Sequence, residues 1–503
     1  MKVLVANRGE IAVRIIRACR EMGFGVVAVY SDCDRNALHV RLADEACCIG
    51  EGPAGESYLR IDRIVEAARR TGASFVHPGY GFLAENAAFA HACAEAGLVF
   101  VGPGVDAIER MGGKTAARDV ARAAGVPVVP GSDHPFAEDA PDDEVVRVAG
   151  AVGYPLLIKA VAGGGGKGMR AVASEVELLP ALVRARSEAH SAFGNGRCYL
   201  ERQLIEPRHI EIQLLADAHG TVIPFVEREC SIQRRHQKVV EESPSPALDV
   251  ATRLAMADAA ARIARTVGYV NAGTIEFLVD REGAFYFLEM NTRLQVEHPV
   301  TEAVTGVDLV QWQLRIARGD RLAIDPVQAI EPRGHAVECR IYAEDPDRGF
   351  LPSPGLVRGL SVPGGPGVRD DRGVVPGDTI PIFYDPLIAK LTVHAATRAE
   401  AVDRLTRVLD EYRVAGVMTT LPFFRWLVRQ PAFHEGAFST TYLDGVLAGR
   451  VEPFVAARPE DVRAALAAVA VAAWRRAAQP GVADAAGVRA SNWHRAARRE
   501  SLR

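Results

Sequence analysis

The segment Glu289-Met-Asn-Thr-Arg-Leu-Gln-Val-Glu-His-Pro299 is the most informative part of the chain, because it combines acids, amides and an arginine at short spacing. Side chains alternate between two faces along an extended backbone. If the segment is extended, five of its polar side chains share one face: Glu289, Asn291, Arg293, Gln295 and Glu297. A binding site is the functional interpretation of that face, and a surface hairpin with solvated charges is the alternative.

Two apolar runs lie just upstream, Gly273-Thr-Ile-Glu-Phe-Leu-Val-Asp280 and Ala284-Phe-Tyr-Phe-Leu-Glu289, on either side of Arg-Glu-Gly. This pattern predicts a β-hairpin. With Glu282-Gly283 as a two-residue loop, Glu276 lies opposite Glu289. Two facing carboxylates and a nearby amide form a set of hard oxygen ligands, which suits Mg²⁺ carrying phosphates.

Composition limits the class of protein. A chain of 503 residues is long enough for roughly three domains of about 150 residues. Its net charge of -4 argues against a nucleic-acid-binding protein. Eight scattered cysteines without a CxxC pair indicate reduced thiols and a cytoplasmic location. The N-terminus is typical of a strand rather than a signal peptide, and no run approaches the ~18 apolar residues of a membrane span.

The first hundred residues show the βαβ rhythm of a doubly wound α/β sheet. Strands are predicted over 2–6, 25–30, 73–77 and 98–102, and a helix is marked by Ile11, Ile15, Ile16 and Cys19. The segment His77-Pro-Gly-Tyr-Gly-Phe-Leu-Ala-Glu-Asn86 follows the third predicted strand, where open α/β sheets place ligand crevices.

A glycine-rich loop, Lys159-Ala-Val-Ala-Gly-Gly-Gly-Gly-Lys-Gly-Met169, is predicted to join two strands. A P-loop or a dinucleotide-binding loop would instead lead into a helix. A glycine-rich strand-to-strand connection suits a flap whose backbone N–H groups fold over phosphates, and Lys159 and Lys167 add positive charge. A surface hairpin without function is the alternative.

Polar residues alternate with apolar ones from His209 to Leu214, which predicts a strand with one polar face. The following run, Glu227 to Glu242, is dense in both charge signs, and a solvated loop is the simplest interpretation of it. Cys230 within this run is interpreted as a small buried thiol rather than a nucleophile, because neither a helix N-terminus nor a dedicated base is evident.

Six motifs in order, with intact spacing over about residues 1–446, together resemble biotin carboxylase, the ATP-grasp ligase component of acetyl-CoA and acyl-CoA carboxylases. They are Asn7-Arg-Gly-Glu-Ile-Ala, His77-Pro-Gly-Tyr-Gly-Phe-Leu, the Gly163–Gly166 flap, Arg234-Arg-His-Gln-Lys-Val-Val-Glu-Glu, the segment from Glu289 to Glu302, and Glu338-Cys-Arg-Ile-Tyr-Ala-Glu-Asp-Pro. Lys167 stands where many relatives have arginine, and Tyr342 stands where asparagine is common.

The resemblance implies an α/β fold with a Rossmann-like N-terminal domain at 1–112 and an ATP-grasp domain at 113–330, whose mobile lid spans about 131–203. It also implies an α+β C-terminal biotin carboxylase domain at 331–448, followed by an Ala/Arg-rich tail at 449–503.

The resemblance also assigns roles to individual residues. It implies that ATP is bound by Lys114, Lys159, Gly163, Gly164, Gly165, Gly166, Lys167, Gly168, Met169, Glu201, Arg202, Leu204, His209, Gln233 and His236. Mg²⁺ or Mn²⁺ would be held by Glu276, Glu289 and Asn291, and bicarbonate by Lys238, Arg293, Gln295 and Val296. Glu297 would be the general base and Arg340 would stabilise the biotin enolate.

The implied activity is ATP-dependent carboxylation of biotin with bicarbonate through carboxyphosphate, the first half-reaction of an acyl-CoA carboxylase and a step toward fatty acid biosynthesis. No Met-Lys-Met biotin-attachment segment occurs in the chain, so biotin is expected on a separate biotin carboxyl carrier protein. Carboxyltransferase subunits and a homodimer are the other expected partners, without nucleic acid or membrane.

The sequence leaves three alternative functions open. The ATP-using component of a pyruvate carboxylase would have the same active site, and half of a carbamoyl-phosphate synthetase would share the fold, although nothing in this chain repeats. A catalytically inactive nucleotide-binding paralogue is the alternative of a different class, and it should have lost metal ligands or the base.

Overall fold

The computed structural model describes residues 1–161, 169–454 and 459–477. The chain divides into two compact units, Met1–Glu452 and Pro453–Arg503, and the described part of the second unit is one helix, Pro459–Ala477. Among the described residues, no helix is both long and apolar enough to cross a bilayer. All eight cysteines lie in the described part and are unpaired thiols.

The N-terminal part is a five-stranded parallel sheet in the order β3-β2-β1-β4-β5. Its elements are β1 Lys2–Val5, α1 Gly9–Glu21, β2 Gly25–Ser31, α2 Leu38–Leu42, β3 Glu45–Gly50, α3 Ile61–Thr71, β4 Phe75–His77, α4 Ala87–Glu95 and β5 Val99–Phe100. β1 and β2 are apolar runs buried on both faces, as expected of parallel strands under helices. The predicted doubly wound sheet is confirmed.

β3 was missing from the predicted strands, which makes β4 the fourth strand rather than the third. It reads Glu45-Ala-Cys-Cys-Ile-Gly50, and half of its residues are exposed because it lies at the edge of the sheet. A short edge strand with little β-branched sequence carries almost no periodic signal.

The next region contains a small antiparallel sheet of order β7-β6-β8 with its own apolar core. Its elements, with the two helices that precede them, are α5 Val105–Gly112, α6 Lys114–Ala123, α7 Asp142–Val152, β6 Leu156–Ala160, β7 Met169–Val172, α8 Glu175–Phe193 and β8 Cys198–Arg202. Lys159 pairs with Met169 across β6 and β7, so the glycine-rich loop joins two antiparallel strands as predicted. The loop itself, 162–168, lies outside the described residues.

One nine-stranded sheet within the described residues carries most of the remaining chain, in the order β14-β13-β9-β11-β12-β15-β22-β20 with β10 beside β9. Its first half is built from β9 Arg208–Ala216, β10 Val222–Pro224, β11 Arg228–Arg234, β12 Gln237–Ser243, α9 Val250–Thr266, β13 Asn271–Val279, β14 Phe285–Asn291, α10 His298–Thr305, α11 Leu309–Ala317 and α12 Pro326–Ile330.

The second half of the sheet belongs to the C-terminal region. The elements there are β15 His335–Tyr342, β16 Glu344–Asp345, β17 Leu351–Pro352, β18 Gly355–Leu356, β19 Gly359–Ser361, β20 Val368–Arg372, β21 Thr379–Ile380, β22 Leu387–Ala395, α13 Arg398–Glu411, β23 Arg413–Ala415, α14 Leu421–Leu427, α15 Pro431–Glu435 and α16 Tyr442–Ala448. Because β12 pairs with β15, the sheet continues from one region into the next without a break.

The strand β9 shows why this sheet can carry a polar site. Ile210, Ile212 and Leu214 are fully buried in an apolar cluster that includes helix α9. His209 and Glu211, on the alternate positions, are also buried, so β9 has an apolar face toward the core and a polar face covered by other protein. The predicted alternation is therefore present.

The run from Glu227 to Glu242 is not a solvated loop. It forms β11 and β12, two strands whose residues are mostly buried. Charged residues in a buried sheet must be paired, and the charged partners of this run lie on other elements, as in Arg228 with Glu211 and Arg234 with Glu344.

The predicted hairpin is confirmed in its pairing and wrong in its loop. Glu276 pairs with Glu289 as expected, but Arg281, Glu282 and Gly283 form a three-residue loop, closed by Asp280 N–H donating to Ala284 O at 2.9 Å. A register shift next to Glu276 then restores the predicted pairing. The extra residue in the loop and the bulge compensate each other.

The prediction that 289–297 is one extended segment is wrong beyond Asn291. Strand β14 ends there, and Glu297 is the residue that precedes helix α10. The polar side chains of this segment still meet, because Asn291 and Gln295 both donate to Glu276 Oε1 at 2.9 Å and Arg293 donates to both amides.

We expect Gly373→Ala to destabilise the first unit by about 1–3 kcal/mol, the cost of forcing a group into a packed site. A Cβ at Gly373 would lie 2.5 Å from the backbone nitrogen of Glu10 and would push helix α1 away from the C-terminal strands. Thermal denaturation of the purified protein measures the effect. Gly364→Ala is the control, since a Cβ there meets nothing within 4 Å, and equal losses in the two variants would contradict the prediction.

Candidate active site

Lys238 on β12 lies at the centre of the site. Its Nζ donates to Glu276 Oε1 and to Glu297 Oε1, each at 2.8 Å, and also to Glu211 Oε2. Burial alone would lower the pKa of Lys238, but the three carboxylates outweigh it and hold the pKa well above its usual value. The ammonium group therefore stays charged and joins three strands and a loop.

Arg340 on β15 is held by two buried carboxylates. Its Nε donates to Glu241 Oε1 at 2.6 Å, and its Nη2 donates to Glu297 Oε2 at 2.8 Å. Glu297 is consequently shared, with one oxygen on Lys238 and the other on Arg340. Although burial would raise the pKa of Glu297, Lys238, Arg340 and Arg228 hold it well below its usual value.

Arg293 faces the same region from the loop after β14. Its Nη2 donates to Asn291 Oδ1 and its Nη1 to Gln295 Oε1, each at 2.9 Å. Its Nε donates to Glu85 Oε2 at 2.8 Å, which links the loop to the N-terminal part. Glu85 was not predicted as a site residue, although it lies at the end of the predicted crevice segment.

The carboxylate of Glu276 is the meeting point of the predicted metal ligands. Glu289 lies opposite it across the hairpin, and Asn291 Nδ2 donates to Glu276 Oε1 at 2.9 Å. His209 Nε2 approaches Glu276 Oε2 at 3.1 Å. Burial would raise the pKa of Glu276, but Lys238 and His209 lower it overall, so the group is ionised.

This donor set fits a divalent cation such as Mg²⁺ or Mn²⁺. The carboxylates of Glu276 and Glu289 are hard ligands that face each other across one end of a hairpin. The amide of Asn291 lies beside them, with its oxygen accepting from Arg293. Ligand atoms of His209, Glu211 and Glu276 also lie within 4.8 Å of one another and are buried. Glu211 was missed by the sequence reasoning, although its place in the His209–Gln213 alternation marked it as facing the same way.

The residues predicted to hold the nucleotide are only partly brought together. Lys159 and Arg118 both pair with the buried carboxylate of Glu201 on β8. Gln233 Nε2 and His209 Nδ1 are 3.0 Å apart, which joins β11 to β9. The backbone N–H of Arg202 already donates to Pro130 O at 2.7 Å, and Leu204 is half-buried in the segment that follows.

Other predicted nucleotide ligands lie outside this cluster. His236 is exposed at the turn between β11 and β12, with φ +65°. Met169 is the first residue of β7. The side chain of Lys114 and the loop residues Gly163, Gly164, Gly165, Gly166, Lys167 and Gly168 lie outside the described residues, so their roles stay predictions.

A cavity of about 440 Å³ opens beside Arg340, between the N-terminal loops and the C-terminal region. Its lining includes Arg293, Val296, Arg340, Tyr80 and Phe82. Guanidinium groups and aromatic rings both line it, which suits a flat ligand with a polar oxygen.

Tyr342 also lines this cavity, and Lys390 contacts two of its lining residues, Val296 and Glu10. Tyr342 is buried beside Arg340, and its hydroxyl accepts from Gln237 Nε2 at 3.1 Å. Lys390 on β22 is fully buried, donates to Val296 O at 2.9 Å and lies 3.3 Å from Glu10 Oε2. Lys390 was not predicted, because a single lysine in an apolar strand carries no signal of its partners.

Cys230 is fully buried, and burial together with Glu211 raises the pKa of its thiol well above the usual value. The interpretation of Cys230 as an unreactive structural thiol agrees with this environment.

Three family models match the chain in order. They describe the N-terminal domain of biotin carboxylase at residues 1–108, the ATP-binding domain of the carbamoyl-phosphate synthase L chain at 113–325, and the C-terminal domain of biotin carboxylase at 338–445. A biotin carboxylase from Nostoc sp. is 52% identical over 442 residues, which cover 88% of this chain and 98% of that protein. The chain belongs to the biotin carboxylase family.

Other relatives in this family are named as parts of different carboxylases. A pyruvate carboxylase subunit from Methanothermobacter thermautotrophicus is 52% identical over 443 residues, covering 88% of this chain and 89% of that protein. The biotin carboxylase domain of 2-oxoglutarate carboxylase from Hydrogenobacter thermophilus, a dimer solved with MgADP, ADP and bicarbonate, superimposes with a TM-score of 0.84 at 47% identity, covering 90% of this chain and 99% of that one. The flanking biotin carboxylase domains set aside the carbamoyl-phosphate synthetase alternative, and the chain is an ATP-dependent ligase.

We expect Glu338→Gln to stabilise the protein relative to the wild type as pH rises from 6 to 8.5. Burial raises the pKa of Glu338 to about 7, partly offset by Lys390. When the pKa of a carboxyl group is higher in the folded than in the unfolded protein, its contribution to stability is fully present below the unfolded-state pKa. That contribution is lost as pH rises through the folded-state pKa, whereas glutamine stays neutral at every pH. The gain between these pH values should be about 1 kcal/mol, measured by thermal denaturation.

Glu302→Gln is the matched control for that measurement. Glu302 is also buried, but Arg14 and Arg369 outweigh burial and lower its pKa. Its glutamine variant should lose the same stability at pH 6 and at pH 8.5. The prediction would be contradicted if the difference in stability between Glu338→Gln and the wild type did not change between pH 6 and pH 8.5.

Proposed function

We propose that this chain carboxylates biotin, using ATP and bicarbonate, and that Glu297, Lys238, Arg293 and Arg340 carry the chemistry. The observation that supports this most is the shared position of Glu297. One of its oxygens bonds to Lys238, toward the predicted metal and bicarbonate residues, and the other bonds to Arg340 beside the 440 Å³ cavity.

ATP would bind between the small antiparallel sheet and the end of β13 and β14, with Mg²⁺ or Mn²⁺ held by Glu276, Glu289 and Asn291. The metal ion, when bound, neutralises charge on the phosphates. Lys159 is paired with Glu201 in the described structure and would turn to the phosphates when nucleotide enters. The flap at 162–168 and Lys114 are proposed to cover the nucleotide from the other side.

Bicarbonate would lie against Arg293, Gln295, Val296 and Lys238. A guanidinium and an ammonium group bind an oxyanion through charge-assisted hydrogen bonds and bring it against the γ-phosphate despite the repulsion between two anions. Attack of a bicarbonate oxygen on the γ-phosphorus gives carboxyphosphate and ADP.

Glu297 is proposed to take the bicarbonate proton during this attack. Its pKa is lowered by Lys238 and Arg340, which would make it a weak base while both contacts persist. Bicarbonate recruits Lys238 and biotin recruits Arg340, so each substrate removes one stabilising partner of the carboxylate. Substrate binding therefore raises the basicity of Glu297 toward that of an effective general base.

Biotin would enter the cavity with its ureido oxygen toward Arg340. Carboxyphosphate breaks into CO₂ and phosphate, and phosphate removes the proton from the ureido nitrogen. The negative charge that then develops on the ureido oxygen is stabilised by the fixed guanidinium of Arg340, and the nitrogen bonds to CO₂. Water must be kept out, which is the proposed role of the lid at about 131–203.

The partners and the wider setting are also proposals. We propose a separate biotin carboxyl carrier protein, carboxyltransferase subunits, a homodimer and a cytoplasmic location, with domains at 1–112, 113–330 and 331–448 followed by the tail at 449–503. An acyl-CoA is the proposed downstream acceptor, and pyruvate is the alternative, because a relative named for pyruvate carboxylase is as similar as those named biotin carboxylase. An inactive paralogue is disfavoured, since the acids and bases required are all present.

The proposal is tested by measuring ADP release from the purified chain with and without bicarbonate. We expect ADP to form only with bicarbonate, and faster when free biotin is added, because carboxyphosphate requires bicarbonate. Equal ADP release in bicarbonate-depleted buffer would identify a plain ATPase and would contradict the proposal.

Arg340→Ala is expected to separate the two half-reactions. Arg340 is assigned to the ureido oxygen and not to ATP, and loss of one donor to a developing oxyanion costs about 10²–10³ in rate. Labelled bicarbonate incorporated into biotin should fall further than phosphate released in the same tube. An unchanged ratio of carboxybiotin to phosphate would mean that Arg340 acts only on the fold.

A further inference from the structure

The cavity residue Arg340 has a second buried partner that no step of the proposed mechanism uses. Glu241, on the neighbouring strand β12, is fully buried and accepts from Arg340 Nε at 2.6 Å. Among the described residues, no donor lies within hydrogen-bond distance of its other oxygen, Oε2. Arg340 is the one side chain that gives this buried carboxyl a direct hydrogen bond in the described structure.

The two carboxylates that accept hydrogen bonds from Arg340 differ in whether the reaction must break the contact. Glu297 is bonded to Lys238 as well and is the proposed base, so its contact with Arg340 must loosen when it takes a proton or when biotin enters. Glu241 lies on a central strand of the nine-stranded sheet, opposite Glu338 on β15. The Nε edge of the guanidinium therefore has a fixed acceptor, while the Nη2 edge has a partner that the reaction removes.

We propose that Glu241 is a positioning residue, which holds the Nε edge of Arg340 so that Nη2 can pass from Glu297 to the ureido oxygen of biotin without the guanidinium rotating away. This inference rests on the proposed function. A planar guanidinium held on one edge keeps its other donors in a defined plane, which is the geometry that a developing oxyanion requires.

To hold Arg340, Glu241 must accept a hydrogen bond from Nε but need not carry a permanent negative charge. Burial raises the pKa of Glu241 to about 8, although Arg340 opposes the shift. A neutral carboxyl still accepts from Nε through its carbonyl oxygen. Glutamine reproduces that acceptor, whereas leucine fills similar volume without one, so the two substitutions separate positioning from charge.

The experiment measures carboxybiotin formed per phosphate released, with free biotin and labelled bicarbonate, in Glu241→Leu and Glu241→Gln. We expect Glu241→Leu to lower this ratio about 10- to 100-fold, since small misplacement of a catalytic group costs up to about 10²-fold. Bicarbonate-dependent phosphate release should fall much less. Glu241→Gln should restore the ratio to within about threefold of the wild type.

Glu242→Gln is the matched control. Glu242 is the next residue on β12 and bonds to Arg398 and His335 on the opposite face, so it loses an equally buried ion pair away from the cavity. It should lower the melting temperature and leave the ratio unchanged. A control that lowers the ratio as much as Glu241→Leu would show a general loss of packing and would overturn the inference.

A double mutant keeps the test decisive if Glu241→Leu folds poorly because Arg340 is left unpaired. In Arg340→Ala, adding Glu241→Leu removes both partners and should cost no further activity, because Glu241 acts only through Arg340. A further drop in the double mutant, a wild-type ratio in Glu241→Leu, or a glutamine variant as impaired as the leucine variant would each overturn the inference. Wild-type protein without bicarbonate-dependent phosphate release would instead contradict the proposed function itself.

Discussion

The ammonium group of Lys238, surrounded by the buried carboxylates of Glu211, Glu276 and Glu297, is the interaction on which the rest of the site depends. Each of these acids would be costly to bury ionised and unpaired, and together they would repel one another. One lysine compensates all three and joins strands β9, β12 and β13 to the start of helix α10. The same three carboxylates are held close together by one ammonium group, beside the residues that are proposed to bind metal and bicarbonate.

The nine-stranded sheet carries residues from every part of the proposed site. The proposed metal ligands on β13 and β14, Lys238 on β12 and Arg340 on β15 all belong to one continuous hydrogen-bonded sheet. A sheet resists relative movement of its strands, so the distance between the proposed phosphate end at Glu276 and the proposed biotin end at Arg340 is set by strand spacing rather than by flexible loops. Glu297, at the start of α10, lies between these two ends and contacts a residue of each.

Some features of the chain follow from local pattern, and these were predicted correctly. Apolar runs of strand length predict the parallel sheet of the N-terminal part, because parallel strands are buried on both faces. The alternation from His209 to Leu214 and the runs before Glu289 predict a strand and a hairpin, and the facing of Glu276 and Glu289 follows from the pairing. The ordered motifs predict the family. The edge strand β3 and the three-residue loop of the hairpin were not predicted, since neither an edge strand nor a compensating bulge leaves a periodic signal.

The sequence by itself therefore determined which chemical groups are present, the strand and hairpin that carry His209, Glu276 and Glu289, and the family of the chain, but not the strands β11 and β12. Only the tertiary structure decided which charge meets which. Lys238 with Glu211, Arg340 with Glu241, and Lys390 with the carbonyl of Val296 are contacts between strands or loops far apart in the chain. Periodicity describes the faces of one element at a time, whereas a buried ion pair is chosen by the packing of several elements, because a charge out of water must find its partner wherever the fold places it.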